Sequence, residues 1–406
     1  MKLSAPFMSV LLAACATFGF CAPPEKESTR ASSTPTAQIV PEIDPSAFGD
    51  SSHHWRKIRD DKRVIQPEAD QPGYRPEQSA EIAANILLFQ RSNGGWPKDY
   101  DMLAVLTDAQ REQLAASRDR QDTSFDNHNV FGQVEYLARV YEQTSEAKFR
   151  DACLRGLDFM LAAQMANGGF PQTFPKPTGY HRHITFNDGA MIGVLRVLQD
   201  PARGAPHFAW IDSARRERAA DAVRRGVACI LKCQIRVDGR LTGWCQQHDE
   251  QTYAPASART FELASLCPQD TTEIVRFLMS TVDPKSEDAK PSAELIDSVE
   301  AAVAWLTQTP LSGVRIERVA APREEFLRHT ATFDVVVTPD AKAPPLWARH
   351  YEIGTNRPIF AGRDGIKKYE FAQIERERRT GTAWFGSWPR RLIDEEYPAW
   401  QTRLDR

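Results

Sequence analysis

The stretch Gln90-Arg91-Ser92-Asn93-Gly94-Gly95-Trp96-Pro97 returns as Gln164-Met165-Ala166-Asn167-Gly168-Gly169-Phe170-Pro171, and a degenerate third copy, "QIRVDGRLTGWCQQHD", begins at Gln234. The spacing between copies is 70 to 74 residues, set by Gln90, Gln164 and Gln234. Before the first copy Ile82, Ile86 and Phe89 mark one helical stripe. Between the first two, Val130, Val134, Leu137 and Tyr141 mark another, then Phe149, Cys153, Leu157 and Leu161 a third. A unit of two amphipathic helices closed by a glycine turn cannot bury its apolar faces alone, so neighbouring units must stack. Open solenoids have shorter repeats than this. The period therefore predicts a mainly α chain closed into an α/α toroid.

The helical pattern continues through "DGAMIGVLRVLQD", "WIDSARRERAADAVRRGVACILKCQ", "TTEIVRFLMS" and "PSAELIDSVEAAVAWLTQT". "TDAQREQLAASR" opens with a threonine cap and an early acid. After about Pro310 the texture changes. "ATFDVVVT" and "PLWARHYEI" have the β-branched and aromatic content of strands, which predicts a small β-containing C-terminal section packed on the toroid.

At the N-terminus, Met1-Lys2 precedes the short apolar run "FMSVLLAACATFGFCA", too short to span a bilayer and patterned like a secretory signal. Leu12-Ala13-Ala14-Cys15 also fits a lipoprotein processing site, which would leave Cys15 lipidated; cleavage after Ala16 or Ala22 is the plain alternative. The expected organisation is a signal over 1–22, a Pro/Ser/Thr-rich disordered linker over 23–50 and one catalytic domain over 51–406. Export makes the protein secreted, periplasmic or surface-held, with membrane contact only through a lipid at Cys15. Five cysteines remain, an odd number and a poor disulfide framework; they read as buried thiols with room for one bridge such as Cys233–Cys245. No paired Cys-x-x-Cys motif supports a zinc site.

The formal charge of −3 argues against a general nucleic-acid binder. Any anionic ligand must be met by local clusters of cations. Four such places stand out: Trp96-Pro97-Lys98-Asp99, then "TSFDNHNVFGQ" with Asp126 and Asn127, then "YHRHITFNDGAM" with Asn187 and Asp188, and finally Arg259, Arg349 and Arg363. A single Asp before a helix is ordinarily an N-cap. Two Asp/Asn pairs at matching places in successive repeats exceed what capping needs, and two carboxylates on one rim suit a hard, oxygen-seeking cation such as calcium. His128, His181 and His183 match no standard helix-borne ligand set. Trp96 and Phe170 read as packing residues, but Lys98 stands where the second copy has Gln172, so architecture does not require that cation. Arginines that hold carboxylates, aromatics and an acidic pair together describe a protein that recognises an anionic carbohydrate.

The motifs "NGGWPKDYD", "SFDNHNVFGQVEYLARVYE", "NGGFPQTFP", "YHRHITFNDGAMIGVLRVL", "ARTFELASL", "WARHYEIGTNRPIFAGRDGIKKY" and "RRTGTAWFGSWP" resemble, in this order, the pectate lyases of polysaccharide lyase family 10. The resemblance runs from about Gln78 to Pro389. It implies an (α/α)3 toroid that cleaves polygalacturonate by calcium-assisted anti-β-elimination, leaving unsaturated oligogalacturonates. Asp126 and Asp188 would then be the calcium-associated carboxylates, with Asn127 beside them on the substrate. Arg259 would be the base that removes the C5 proton, while Arg349, Arg363 and Lys98 would bind uronate carboxylates. His128-Asn129-Val130 departs from the family pattern, and 310–345 has no counterpart in it. Two other functions fit the same residues. A glycoside hydrolase would use Asp126 and Asp188 as its carboxylate pair, and a surface uronate-binding protein would use the cations without catalysis. No protein partner is evident.

Overall fold

The computed structural model describes residues 42–282 and 291–404. The expected signal and Cys15 lie outside the described residues. The expected linker reached residue 50, but its last part belongs to the folded unit. Ser46–Phe48 forms a 3-10 turn leading into α1 (Gly49–Lys57), and Ile43 and Phe48 are buried in the core. Those two apolar side chains draw the segment onto the helices behind it.

Helices dominate as the periodicity requires. After α2 (Ser79–Phe89) comes α3 (Asp108–Ala116), started by a capping box in which Thr107 and Gln110 satisfy each other's backbone N–H groups. Three hairpins follow: α4 (Phe131–Thr144) with α5 (Ala147–Ala163), α6 (Ala190–Arg203) with α7 (Ser213–Cys233), and α8 (Pro268–Ser280) with α9 (Ala293–Gln308). Contacts run α4 to α6 to α8 in one series and α2 to α5 to α7 to α9 in another. The first series is buried over most of its length, as an inner layer must be. Along α6, for example, ten of fourteen residues are buried, while most of α7 faces outward. The mainly α toroid is what the structure shows.

The repeated turn does the same physical work in each unit. Gln90 Nε2 donates to the carbonyls of Gly94 and Ala152, Gln164 Nε2 to those of Gly168 and Ala222, and Gln234 Nε2 to those of Thr242 and Ser298. Each glutamine thus ties the end of one outer helix to its own turn and to the next outer helix. Gly94 and Gly168 have φ of 94° and 90°, and a Cβ on either would stand 2.4 or 2.3 Å from a backbone carbonyl, of Arg155 or Arg225. Only glycine fits both demands. The aromatics close the units: Trp96 donates its indole N–H to Ile86 and Trp244 to Ile230. Trp347 does the same to Leu306, a fourth copy that the sequence pattern hid.

Beyond α9 the β-containing section is dominated by one long antiparallel hairpin, Val314–Glu325 with Thr330–Pro339. "ATFDVVVT" forms its second strand. "PLWARHYEI" contributes only the short strand Trp347–Ala348. The section also contains α10 (Arg376–Gly381) and α11 (Tyr397–Leu404). Cys153, Cys229, Cys233, Cys245 and Cys267 are all free and buried, as the reading of buried thiols has it, and the one bridge that reading left room for, Cys233–Cys245, is not formed.

Candidate functional site

The residues singled out in the sequence lie on four linkers, three running from an outer helix to the next inner one and the fourth following α9. Linker one carries Lys98, Asp126 and Asn127; linker two carries Asp188; linker three carries Arg259. Linker four, after α9, carries Arg349 and Arg363. Backbone pairing stitches each linker to the next: Ser124 with Thr173, Ile184 with His248, and Leu266 with Tyr351. Such pairing places side chains from distant parts of the sequence at one end of the toroid. There the N-termini of α4, α6 and α8 leave backbone N–H groups free and partial positive charge.

Neither aspartate is a helix cap. The N-cap positions of α4 and α6 are Val130 and Gly189, and no side chain bonds to either helix start. The chain reaches α4 through unusual backbone, with φ of 54° at Asn127, 59° at His128 and 73° at Val130. A β-branched residue at positive φ is strained. Asn129 holds the turn: its buried amide donates to the Trp96 and Ser124 carbonyls at 2.8 and 2.7 Å, and its oxygen accepts from Gln133. The segment that departs from the family pattern is therefore a clamp that aims Asp126.

Asp126 is buried and bonded through Oδ2 to the Lys98 ammonium, while its Oδ1 has no hydrogen-bond partner. Asp188 faces it, held by a 2.7 Å bond from Asn187 Nδ2. Burial opposes ionisation of both. For Asp126 the Lys98 charge and hydrogen bond win, and its carboxyl stays well below the usual range. For Asp188, burial and the Asp126 charge win over Arg349 and Arg259, and its pKa is pushed well up. Burial also works against the charge on Lys98, but Asp126 and Asp99 outweigh it and raise its pKa. Two buried carboxyls that cannot both ionise, one with an orphaned oxygen, fit a hard divalent cation. Asn127 directs its amide to Asp99 at 2.6 Å and is almost fully buried, so it shapes the pair from behind.

Arg259 lies over Phe261, which it shares with Arg363 and Arg378 at 4.8, 5.4 and 4.4 Å from the ring centre. Burial disfavours its charge, but Glu262, Asp126 and Asp188 more than offset this and raise its pKa. Arg363 sits at the exposed rim, bound by Glu377 through two hydrogen bonds of 2.9 and 2.6 Å. Arg349 donates to Asn187 Oδ1 at 3.1 Å and to Gln269 Oε1 at 3.4 Å. Gln246 Nε2 donates to the same Asn187 oxygen at 2.7 Å. Asn187 thereby fixes Arg349 and Asp188 relative to one another.

Sequence reasoning missed Glu262, Gln246, Asp270 and Asn187's joining role. Glu262 had a local signal, an acid three residues after Arg259. Gln246 and Asp270 carried none, because their partners come from other linkers. Asp270 is buried, and that burial, against the pull of Arg349, pushes its carboxyl up to about 6. The "YHRH" loop overlies the site: Tyr180 and His181 feel the charges of Lys98, Asp126 and Arg259. His183 turns away to Glu250 at 2.9 Å, and His128 packs on Phe131, so the three histidines form no joint cluster.

An α/α toroid that gathers an acidic pair and several cations at one end is built as a carbohydrate-active enzyme. The family model for pectic acid lyase matches residues 90–393. A solved structure of a family 10 polysaccharide lyase from Cellvibrio cellulosa is 30% identical, covers 79% of this chain and 92% of its own, and superposes with a TM-score of 0.65. A point mutant of that lyase in complex with trigalacturonic acid is likewise 30% identical, covering 80% and 94%, also at 0.65. No curated protein matches the chain. The chain belongs to the pectic acid lyase family and is a polysaccharide lyase. The hydrolase and non-catalytic readings are set aside with that.

Proposed function

We propose that this lyase cleaves α-1,4-linked polygalacturonate by calcium-dependent anti-β-elimination, giving unsaturated oligogalacturonates. The observation that carries the reading is the Asp126–Asp188 pair, with its orphaned oxygen, set opposite Arg259 and Arg349. The relative that binds trigalacturonic acid supports the substrate class. Asp126 and Asp188 would hold the ion. When bound, calcium would supply positive charge that steadies the substrate carboxylate and offsets the acidic charge that keeps Arg259 protonated.

The substrate proton at C5 lies α to a carboxylate and is weakly acidic. Arg259, once neutral, takes that proton. The C–H electron pair becomes the C4–C5 double bond, the C4–O bond breaks, and the oxygen leaves with that bonding pair and is protonated by solvent. Negative charge develops on the C5 carboxylate. Arg349 and Lys98 face it, and groups aimed at developing charge are worth about 3–4 kcal/mol each. Arg363 at the rim binds a further uronate, and the Phe261 platform holds the arginines in array. Export belongs to the same proposal: the signal-like sequence over 1–22 would direct this activity outside the cytoplasm.

The test is ultraviolet absorbance of the unsaturated product on polygalacturonate. Chelation should abolish the signal and calcium restore it, and full activity in a strong chelator removes calcium from the mechanism. Arg259→Ala should keep oligogalacturonate binding and lose turnover. Normal turnover in that variant refutes the base assignment.

A further inference from the structure

A second cluster of ligating side chains lies away from the linkers, where α4, α6 and the 3-10 turn Pro206–Phe208 meet. Glu135 projects from α4, Asp200 from the last turn of α6 and His207 from the turn. One ligating atom from each lies within 4.8 Å of the other two. The cluster is more than surface acid. The His207 side chain is only 9% exposed, and its Nε2 is buried without a hydrogen bond. That nitrogen stands 3.2 Å from Asp200 Oδ2, close but not aligned for hydrogen bonding.

Misaligned proximity of this kind is what two ligands of one ion require. Ligands bonded at about 2.0–2.2 Å in tetrahedral or octahedral geometry lie roughly 3.0–3.5 Å from each other. Neighbours hold two of the three groups in place. Phe208 packs on the imidazole with ring centres 4.6 Å apart, and the His207 carbonyl accepts from the Trp210 indole. Arg139 places both of its hydrogen bonds, 2.8 and 3.3 Å, on Oε1 of Glu135.

We propose that Glu135, Asp200 and His207 bind a first-row divalent transition-metal ion, with zinc as the representative. One imidazole and two carboxylates suit zinc and its neighbours, whereas calcium takes oxygen ligands. The ion would cross-link α4 to α6. These are the helices whose N-termini follow Asp126 and Asp188, so the clamp sets the spacing of the elements that carry the acidic pair. It is a structural site, independent of the lyase chemistry.

The experiment uses the full chain, stripped of metal and held in excess calcium so that the acidic pair is saturated. Isothermal titration with zinc chloride should show one ion per chain. Zinc at about a hundred times its Kd should raise the melting temperature by about 3 °C. His207→Gln should lose both effects and weaken zinc binding at least tenfold. Glu135→Gln, at a half-exposed position where folding is safe, should weaken it as well. Cobalt in place of zinc should give visible d–d absorption in the parent that is lost in His207→Gln. If the parent takes up no zinc under these conditions, or if both variants bind it as the parent does, the site does not exist.

Discussion

Arg259 and Glu262, three residues apart, meet through two parallel hydrogen bonds, Nε to Oε2 at 2.7 Å and Nη2 to Oε1 at 2.5 Å. A bidentate carboxylate fixes a guanidinium in plane and favours its charged form. The same contact therefore aims the proposed base and opposes its deprotonation. Replacing Glu262 with Gln separates these effects. The rising limb of the kcat–pH profile is expected to move about one unit to lower pH, because the charge favouring protonated Arg259 is gone. Plateau kcat is expected to fall about tenfold from lost orientation. A profile superimposable on that of the parent would show that Glu262 does neither.

Lys98 is the cation that one repeat has and the next lacks. Lys98→Met leaves the buried Asp126 without its counter-charge and removes one contact for the substrate carboxylate. The expected result is a fall in kcat/KM on polygalacturonate of about 10- to 100-fold, about 1.4–2.7 kcal/mol. Unchanged kinetics in a folded Lys98→Met protein would place the lysine outside the site.

Gly94 and Gly168 offer a test of the frame alone. Alanine at either position must adopt positive φ and push its Cβ into a carbonyl of the next outer helix. Each substitution is expected to cost about 2–4 kcal/mol, read as a lower denaturation midpoint. Equal losses at the two positions would confirm that the turns are structurally equivalent. A loss at one position only would mean that the copies differ in more than their ligands.

His248 should make the fold acid-sensitive. It is buried between linkers two and three, accepting the Cys245 N–H at Nε2 and donating from Nδ1 to the Tyr253 carbonyl. Burial pushes its pKa down to about 4, outweighing these two hydrogen bonds. The unfolded chain takes up this proton near pH 6.5, so stability present above that value is lost as pH falls to about 4. The loss from this one group is about 3 kcal/mol. His248→Gln should flatten that part of the stability–pH curve in chemical denaturation at stepped pH. An unchanged slope would assign acid sensitivity elsewhere.

The frame was legible because it is periodic. The 70- to 74-residue recurrence, the glycines and the spacing of Ile82, Ile86 and Phe89 report local geometry and burial, which one stretch of chain encodes by itself. Lys98, Asp126 and Asp188 could be singled out as candidates because each is a charge beside a structural signal, whereas the role expected of Arg259 came from the family resemblance. Asn187's role was not, because joining Arg349 to Asp188 and Gln246 depends on contacts across three linkers. The indole of the fourth copy, Trp347, was hidden by the hairpin 314–339, which separates it from α9 and breaks the period. The linker boundary was misplaced because "DPSAFGD" looks like a tether in sequence, and only Ile43 and Phe48, once packed, reveal otherwise.

The placement of one site group per linker has a consequence for how such a molecule can change. The glutamine brackets and indole braces hold the helices whatever the linkers contain, so each linker can be altered while the ring remains intact. Changes in linker one and linker four that share no partner should combine additively in free energy. Linkers that share a partner are the exception: two, three and four meet at the Asn187 oxygen, and one and two at the Asp126–Asp188 pair, so substitutions there should be epistatic. Diversification of substrate preference would therefore proceed most freely at the rim residue Arg363, and only in concert at Lys98 with Asp126 and at Asp188 with Arg349.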